Sequence, residues 1–246
     1  MSEALVIIPT YNEIENISKI IDAVMALPEG FDLLIIDDGS PDGTAAVVRE
    51  KIHSCPGRIH LEERTGKLGL GTAYIHGFKW ALKRGYEFIT EMDADFSHNP
   101  KDLSRLLAAC KEQDADVAVG SRYISGVNVV NWPIGRVLMS FYASAYVRIV
   151  TRMKVRDTTA GFVCWRRRVL ETIELDKIEF KGYAFQIEMK FKAWKHGFKI
   201  VEVPIIFVNR VLGTSKMNGS IFGEAVFGVI KLRLGSLFKK YPKNKS

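Results

Sequence analysis

Acidic residues gather at three places where a short apolar run gives way to a turn. Leu5–Ile8 runs into Pro9-Thr10-Tyr11-Asn12-Glu13, Leu33–Ile36 into Asp37-Asp38-Gly39-Ser40, and Phe88–Met92 into Asp93-Ala94-Asp95. Carboxylates are costly to desolvate, and like charges sharing one crevice repel. A divalent cation joining Asp95, alone or with Asp93, to a diphosphate would resolve that repulsion. Mg²⁺ or Mn²⁺ suits such a site, made from one or two carboxylates and phosphate oxygens. Each string also has a plainer reading. Asp37-Asp38-Gly39-Ser40 could be a turn in which Asp38 and Ser40 satisfy backbone donors, and Asp-Ala-Asp is a common short string. Their joint occurrence at successive strand ends favours a nucleotide and metal site. A receiver-type phosphoacceptor also uses paired aspartates at a strand end, but gives no reason for the second acidic pair.

The elements that must hold these residues alternate through the first half of the chain. Strands at Leu5–Ile8, Leu33–Ile36, Arg58–Leu61, Phe88–Met92 and Asp116–Val119 are separated by helical spacing over Ile14–Leu27, Thr44–Ile52, Gly71–Lys83 and Lys101–Lys111. The pattern predicts an α/β fold with a single mostly parallel sheet flanked by helices. Ligands of such sheets sit beyond the C-terminal strand ends, where the acidic strings lie. The second half is less regular. Helices are expected over Pro133–Thr151, Ala184–His196 and Ile221–Phe238, with strands at Phe162–Trp165 and Ile200–Val208, the latter interrupted at Pro204. No repeat or linker divides the chain, so residues 1–246 read as one domain: a catalytic core to about residue 216, then a basic, amphipathic tail over 217–246.

The 47% apolar and 26% charged residues are globular composition. The charge is unevenly spread. Between Asp116 and Asp157 there are six cations and no acid, and from Val203 to Ser246 eight cations face Glu224 alone. Those two segments carry +6 and +7 against +7 for the whole chain, so the remainder is net acidic. An acidic body with two basic arms rich in aromatic and aliphatic residues points to an anionic surface on one side. A nucleic acid is not the expected partner, because no recognisable module accompanies the charge. The longest uncharged run, Tyr123–Gly135, has 13 residues, short of the ~20 a spanning helix needs. No signal peptide is expected from the N-terminal residues. Cys55, Cys110 and Cys164 have no metal-like spacing and read as reduced thiols of a cytoplasmic protein.

Taken in order, the motifs resemble a known family. Pro9-Thr10-Tyr11-Asn12-Glu13, Asp37-Asp38-Gly39-Ser40-Pro41-Asp42-Gly43-Thr44, Leu68-Gly69-Leu70-Gly71-Thr72-Ala73-Tyr74 and Met92-Asp93-Ala94-Asp95 come first. Gly120-Ser121-Arg122-Tyr123, Asp157–Phe162, Phe185–Met189, Val203-Pro204-Ile205 and Arg210–Lys216 follow. The series resembles glycosyltransferase family 2 with the GT-A fold, in particular the dolichyl-phosphate (polyprenyl-phosphate) mannose synthases. The resemblance implies that Pro9, Tyr11, Glu13, Ile36 and Asp38 hold the nucleoside. Asp93, Ala94 and Asp95 form the metal and diphosphate element, and Ser97 is a further position at the metal, where some relatives carry glutamine. It also implies that Arg122, Arg210 and Lys216 contact donor or acceptor phosphates, as bidentate guanidiniums and a point charge can.

Arg136 and Ser140, four residues apart, share a helix face and make a grip for an acceptor phosphate. On the same helix Val137, Phe141, Ala145 and Ile149 form a stripe that in isolation reads as core. In similar enzymes this region is an acceptor loop and an interfacial helix. The implied reaction is inverting transfer of one mannose from GDP-mannose to a polyprenyl (dolichyl) monophosphate, peripherally on the cytoplasmic face of a membrane. A phosphate monoester is largely a dianion at neutral pH, so it needs no strong base. Asp95, Arg122 and Arg136 are then the expected catalytic residues. Glu188 is the alternative base, with a structural carboxylate capping or pairing with Lys or Arg an equal reading, and it is not counted as catalytic. The Gln-x-x-Arg-Trp pattern of processive synthases is absent. A UDP-sugar donor, or a non-catalytic nucleotide-sugar-binding scaffold, stays open on sequence alone, as does a small membrane-anchoring partner.

Overall fold

The strands of this protein are short apolar runs that can be buried on both faces, and the sheet is built from them. The computed structural model describes residues 2–180, 182, 184–210 and 221–243, leaving aside the side chains of 221–226. In chain order the elements begin β1 (Ala4–Thr10), α1 (Ile14–Met25), β2 (Asp32–Asp37), α2 (Thr44–Ser54), β3 (Ile59–Glu63) and α3 (Leu70–Arg84). There follow β4 (Phe88–Glu91), α4 (Asp102–Glu112), β5 (Val117–Ser121), β6 (Val129–Val130) and α5 (Ile134–Thr151). The last are β7 (Val163–Arg166), α6 (Arg167–Thr172), α7 (Ala184–Lys195), β8 (Ile200–Pro204), β9 (Phe207–Val208) and α8 (Ile221–Phe238).

Seven strands form one sheet in the order β3-β2-β1-β4-β7-β5-β8, and β6 pairs with β9 in a small second sheet. Pairing is parallel throughout the large sheet except for β7, which runs antiparallel to both β4 and β5. Helices α1, α2 and α4 close one face with Ile17, Ile20, Val24, Val48, Leu103 and Leu106. Helices α3, α6 and α7 close the other with Tyr74, Phe78, Leu170, Phe185 and Met189. Gly77 lets α3 lie close beneath the sheet, since a Cβ there would come within 2.9 Å of Ile7 and Ile36 side-chain atoms.

The chain leaves β1 towards β2 and β3, then returns to place β4 on the other side of β1. The resulting switch point lies between the C-terminal ends of β1 and β4, where a crevice opens. Those ends are Thr10 and the segment entering Met92–Asp95, tied together by the Met92 N–H donating to the Ile7 carbonyl at 3.1 Å.

The strand expected at 162–165 is the antiparallel member of the mostly parallel sheet, and Ile200–Val208 divides at Pro204, as expected, into strands of two different sheets. Of the two readings of the α5 stripe, core is excluded: Phe141 is 43% and Ile149 78% exposed, while Ser144, Val147 and Thr151 face inward. The final helix has the expected bounds but is not simply amphipathic. Val229 packs with Val147, Ile187 and Phe191 to close a third core cluster, while Phe227, Leu234, Leu237 and Phe238 face outward. Apolar residues therefore lie on both sides of it. Among the described residues no helix is long and apolar enough to cross a membrane.

Candidate active site

The acidic half of the site is built from turns at the ends of β2, β1 and β4. Asp37 is the turn residue: its carboxylate accepts from Thr10 Oγ1 at 2.8 Å, Ser40 N–H at 2.8 Å and Ser40 Oγ at 2.6 Å. The turn reading has Asp38 and Ser40 satisfy backbone donors, and Ser40 Oγ does accept from the Asn12 N–H at 2.9 Å; Asp37 is not part of that reading. Asp38 accepts from Arg64 Nε at 2.6 Å and from the Leu68 N–H at 3.3 Å. Gly39 holds φ near +70°, a backbone that favours glycine, with Arg64 O and Gly66 N close to where a Cβ would project.

Glu13 leads into α1. Its N–H donates to Thr44 Oγ1 at 3.0 Å, and its side chain accepts from Asn16 Nδ2 at 3.2 Å. Tyr11 and Pro9 are half-buried nearby, with the Lys67 ammonium 5.3 Å from the Tyr11 ring centre. Ile36 is fully buried in the α3-side core, beneath the β2 end that carries Asp37 and Asp38.

The acidic element after β4 is tightly folded. Phe96 adopts φ +58°, unusual for a bulky residue, and the Ser97 N–H reaches back to Asp95 Oδ1 at 3.0 Å. Asp95 Oδ2 meets Arg210 Nη2 at 2.6 Å, and Arg210 Nη1 lies 3.9 Å from Glu13 Oε1. Ala94 and Ser97 are buried, whereas the Asp93 side chain is 39% exposed. The depth of the crevice, and next the Asp95 carboxylate, push Asp93 up to about 7, with Arg210 pulling the other way.

His98 was not singled out by the sequence. Its ring stacks on Phe162 at 4.7 Å, and its Nδ1 accepts from the Asp93 N–H at 3.4 Å. Burial lowers its pKa to about 4, so it is a neutral imidazole. Lys216, paired with Arg210 by resemblance, lies outside the described residues.

The cationic half starts at Arg122, just past β5. Its Nε and Nη2 donate to the two Asp157 oxygens at 2.7 and 2.6 Å, and Nη2 also reaches Thr159 Oγ1 at 2.8 Å. Burial works to raise the Asp157 pKa, but the guanidinium outweighs it and holds the carboxyl below its ordinary value. The Arg122 and Arg136 guanidiniums both lie against the Trp132 ring, at 5.6 and 4.1 Å. Arg136 Nη1 donates to Asn209 Oδ1 at 3.0 Å. Ser140 Oγ accepts from Tyr123 OH at 2.8 Å, which brings the end of β5 against α5. The small sheet joins the two halves: the Val208 N–H donates to Ser97 O at 3.2 Å, two residues before Arg210.

Glu188 is engaged structurally, accepting from the N–H groups of Glu179 and Phe180 at 2.9 and 3.1 Å and pairing with Lys192 at 2.9 Å. Asp157, Arg64 and His98 are the site residues that sequence reasoning gave no role. Their partners lie 35, 26 and 5 positions away, and only the last is a local spacing.

The family described as glycosyl transferase family 2 matches residues 5–174. A polyprenol monophosphomannose synthase from Mycolicibacterium smegmatis is 49% identical over 225 residues, 92% of this chain and 84% of that protein. An undecaprenyl-phosphate mannosyltransferase from Micrococcus luteus is 47% identical over 233 residues, 94% of each. Among solved structures, glucosyl-3-phosphoglycerate synthase from Mycobacterium tuberculosis, in complex with Mn²⁺, UDP and glucosyl-3-phosphoglycerate, superposes with a TM-score of 0.68 at 16% identity, covering 94% of this chain and 78% of that one. A mannosyltransferase from Pyrobaculum calidifontis in complex with GDP-Man and Mn²⁺ gives 0.59 at 17% identity, covering 98% and 66%. These neighbours share the GT-A fold.

The Arg122–Asp157 pair yields a stability prediction. Asp157→Asn leaves a buried guanidinium without its counter-charge, which costs ~3–5 kcal/mol. Urea denaturation at neutral pH reads that loss. Because the folded pKa of Asp157 is depressed, its contribution is fully present above the unfolded value near 3.8 and is lost as pH falls through the folded value. The variant and the parent should therefore converge in strongly acidic buffer.

Proposed function

The chain belongs to glycosyl transferase family 2, and from that premise we propose that it transfers a single mannose from GDP-mannose to the phosphate of a polyprenyl (dolichyl) monophosphate, with inversion, at a membrane surface. The observation that carries this reading is the linkage of two unlike half-sites by β9. Glu13 and Asp95 lie around Arg210 at the ends of β1 and β4, and the Val208–Ser97 hydrogen bond ties that acidic turn to the stretch of chain beside the cationic, aromatic cluster of Arg122, Trp132, Arg136 and Ser140. Two curated relatives whose names specify mannose and a polyprenyl phosphate support the substrate assignment. The neighbour in complex with GDP-Man and Mn²⁺ supports the donor.

The residues fit a divalent cation. Asp93 and Asp95 offer hard oxygen ligands at one turn, and Ser97 stands beside them. Among the described residues no cluster of three or more acidic, histidine or cysteine side chains forms a ready-made cage. The remaining ligands then come from diphosphate oxygens, as Mg²⁺ and Mn²⁺ accept. When bound, the ion neutralises charge on the departing diphosphate. Pro9, Tyr11, Glu13, Asp38 and the Ile36 backbone frame the nucleoside. Arg210 and Lys216 contact the donor phosphates.

On the acceptor side Arg136 and Ser140 hold the lipid phosphate, while Arg122, fixed by Asp157, supplies a second positive charge. A phosphate oxygen attacks the anomeric carbon from the face opposite the leaving group. The new C–O bond forms as the bond to diphosphate breaks, and GDP departs. With a second pKa near ~6 the attacking phosphate is already a dianion, so no base is required. Positioning and charge neutralisation supply the rate.

The outward apolar residues of α5 (Ile134, Leu138, Phe141, Tyr142) and α8 (Phe227, Leu234, Phe238) fit a helix pair seated in an interface, with basic residues near anionic headgroups. The free thiols of Cys55, Cys110 and Cys164 fit the reducing, cytoplasmic side of that membrane.

Purified protein with Mg²⁺ or Mn²⁺, a short polyprenyl phosphate and either GDP-mannose or UDP-glucose should form lipid-linked sugar from GDP-mannose alone. Turnover should fall at least 100-fold in Asp95→Ala. Product from UDP-glucose alone would overturn the donor, and no product from either would favour a non-catalytic scaffold. In vesicle flotation with anionic lipid the protein should float, and Phe141→Asp combined with Phe227→Asp should not. A parent protein that stays at the bottom would assign membrane attachment to a separate anchoring partner.

A further inference from the structure

Two segments of the motif series, Asp157–Phe162 and Phe185–Met189, have no complete task in the reaction as described. The structure joins them through Lys190, one helical turn beyond Gln186 on α7. Lys190 is fully buried. Its Nζ donates to the Ala160 carbonyl at 2.6 Å and to Gln186 Oε1 at 3.3 Å. Gln186 Nε2 donates in turn to Glu91 Oε2, and Trp165 Nε1 donates to Glu91 Oε1 at 2.6 Å. Glu91 is the last residue of β4, two before Asp93. At the other end Ala160 closes the turn whose Asp157 carboxylate grips Arg122 and whose Thr159 hydroxyl accepts from the same guanidinium.

One buried polar chain thus runs from the root of the donor carboxylates to the acceptor-side arginine. Lys190 and Glu91 are both fully buried, so both groups are held against their preference for water. Apolar side chains of similar volume often fold as well as a buried ion pair, or better. Stability alone is therefore a weak reason for a lysine at this point of the core.

We propose that Lys190, aided by Gln186, is a positioning residue: it clamps the 157–160 turn to α7 and so fixes Arg122 at the acceptor phosphate. Its ammonium group contacts the Ala160 carbonyl and Gln186, not the reacting atoms. The activity part of this inference rests on the function proposed above, and the structural part does not.

Lys190→Met tests it, together with the charge-neutral pair Lys190→Met with Glu91→Gln. Three quantities are measured: thermal midpoint, steady-state kinetics with GDP-mannose and a polyprenyl phosphate, and hydrogen exchange of the Asp157 and Ala160 amides. The expected result is a folded protein with a near-parental midpoint in at least one variant. In it, kcat/KM for the acceptor falls at least tenfold while KM for the donor stays within twofold, and exchange at 157–160 speeds at least tenfold with β1 unchanged. Acceptor kcat/KM within twofold of the parent overturns the proposal, as does unchanged exchange, an equal loss towards donor and acceptor, or failure of both variants to fold. Should the parent make no product from these substrates, the functional reading fails, and the exchange measurement still decides the clamp.

Discussion

Three carboxylates, Glu13, Asp93 and Asp95, converge where β1 and β4 end, and the rest of the structure answers to their repulsion. Parallel strands whose order reverses between β1 and β4 create the crevice. The apolar residues that make those strands stable also lower the local capacity to solvate charge. Arg210 lies against Asp95 at 2.6 Å and nearer to Glu13 than any screened distance. The raised pKa of Asp93 reflects first the poor solvation at the site and then the neighbouring Asp95 charge. A site in this condition gains most from a ligand that brings positive charge with it, and that is what a cation-bound nucleoside diphosphate offers.

Under the proposed function the half around Arg122 faces the opposite problem: it attracts a dianion without letting its own cations drift into solvent. Asp157 pins Arg122 in a two-point grip, and the Trp132 indole lies against both Arg122 and Arg136. The short β9 strand then carries the chain from this wall, through the Val208–Ser97 hydrogen bond, directly to Arg210. Acceptor cations and donor carboxylates are therefore positioned by one continuous backbone connection. The exposed apolar faces of α5 and α8 belong to the same side of the story, because α8 packs on α5 through Val229 and Val147.

Much of this was legible in the residues. Apolar runs buried on both faces, separated by helical spacing, specify a parallel sheet, and ligand-bearing turns at strand ends follow from that architecture. The reversal of β7 was not legible, because Val-Cys-Trp-Arg pairs equally well in either direction. Of the adjacent Asp37 and Asp38, sequence could not say which serves the turn. That depends on which side of the strand each side chain leaves, fixed by the register Thr10 with Asp37. The α5 stripe carried an ambiguity that only the neighbours resolve: the same spacing suits a core or an interface, and Phe141 and Ile149 face outward. Arg64 and Lys190 were invisible, and Asp157 stood in a motif without a role, for one reason. Each acts through a partner brought near by tertiary packing, and no local spacing encodes that contact.

The central claim is that the acidic crevice becomes a donor site by sharing a cation with a diphosphate. Titrating GDP into the protein by calorimetry, once with Mn²⁺ and once with a chelator, tests it most directly. The account predicts that Mn²⁺ tightens GDP binding at least tenfold and that GDP tightens Mn²⁺ binding by the same factor, since the coupling is reciprocal. Equal GDP affinity with and without the cation would contradict it, and would leave Arg210 and its neighbours to hold the diphosphate unaided.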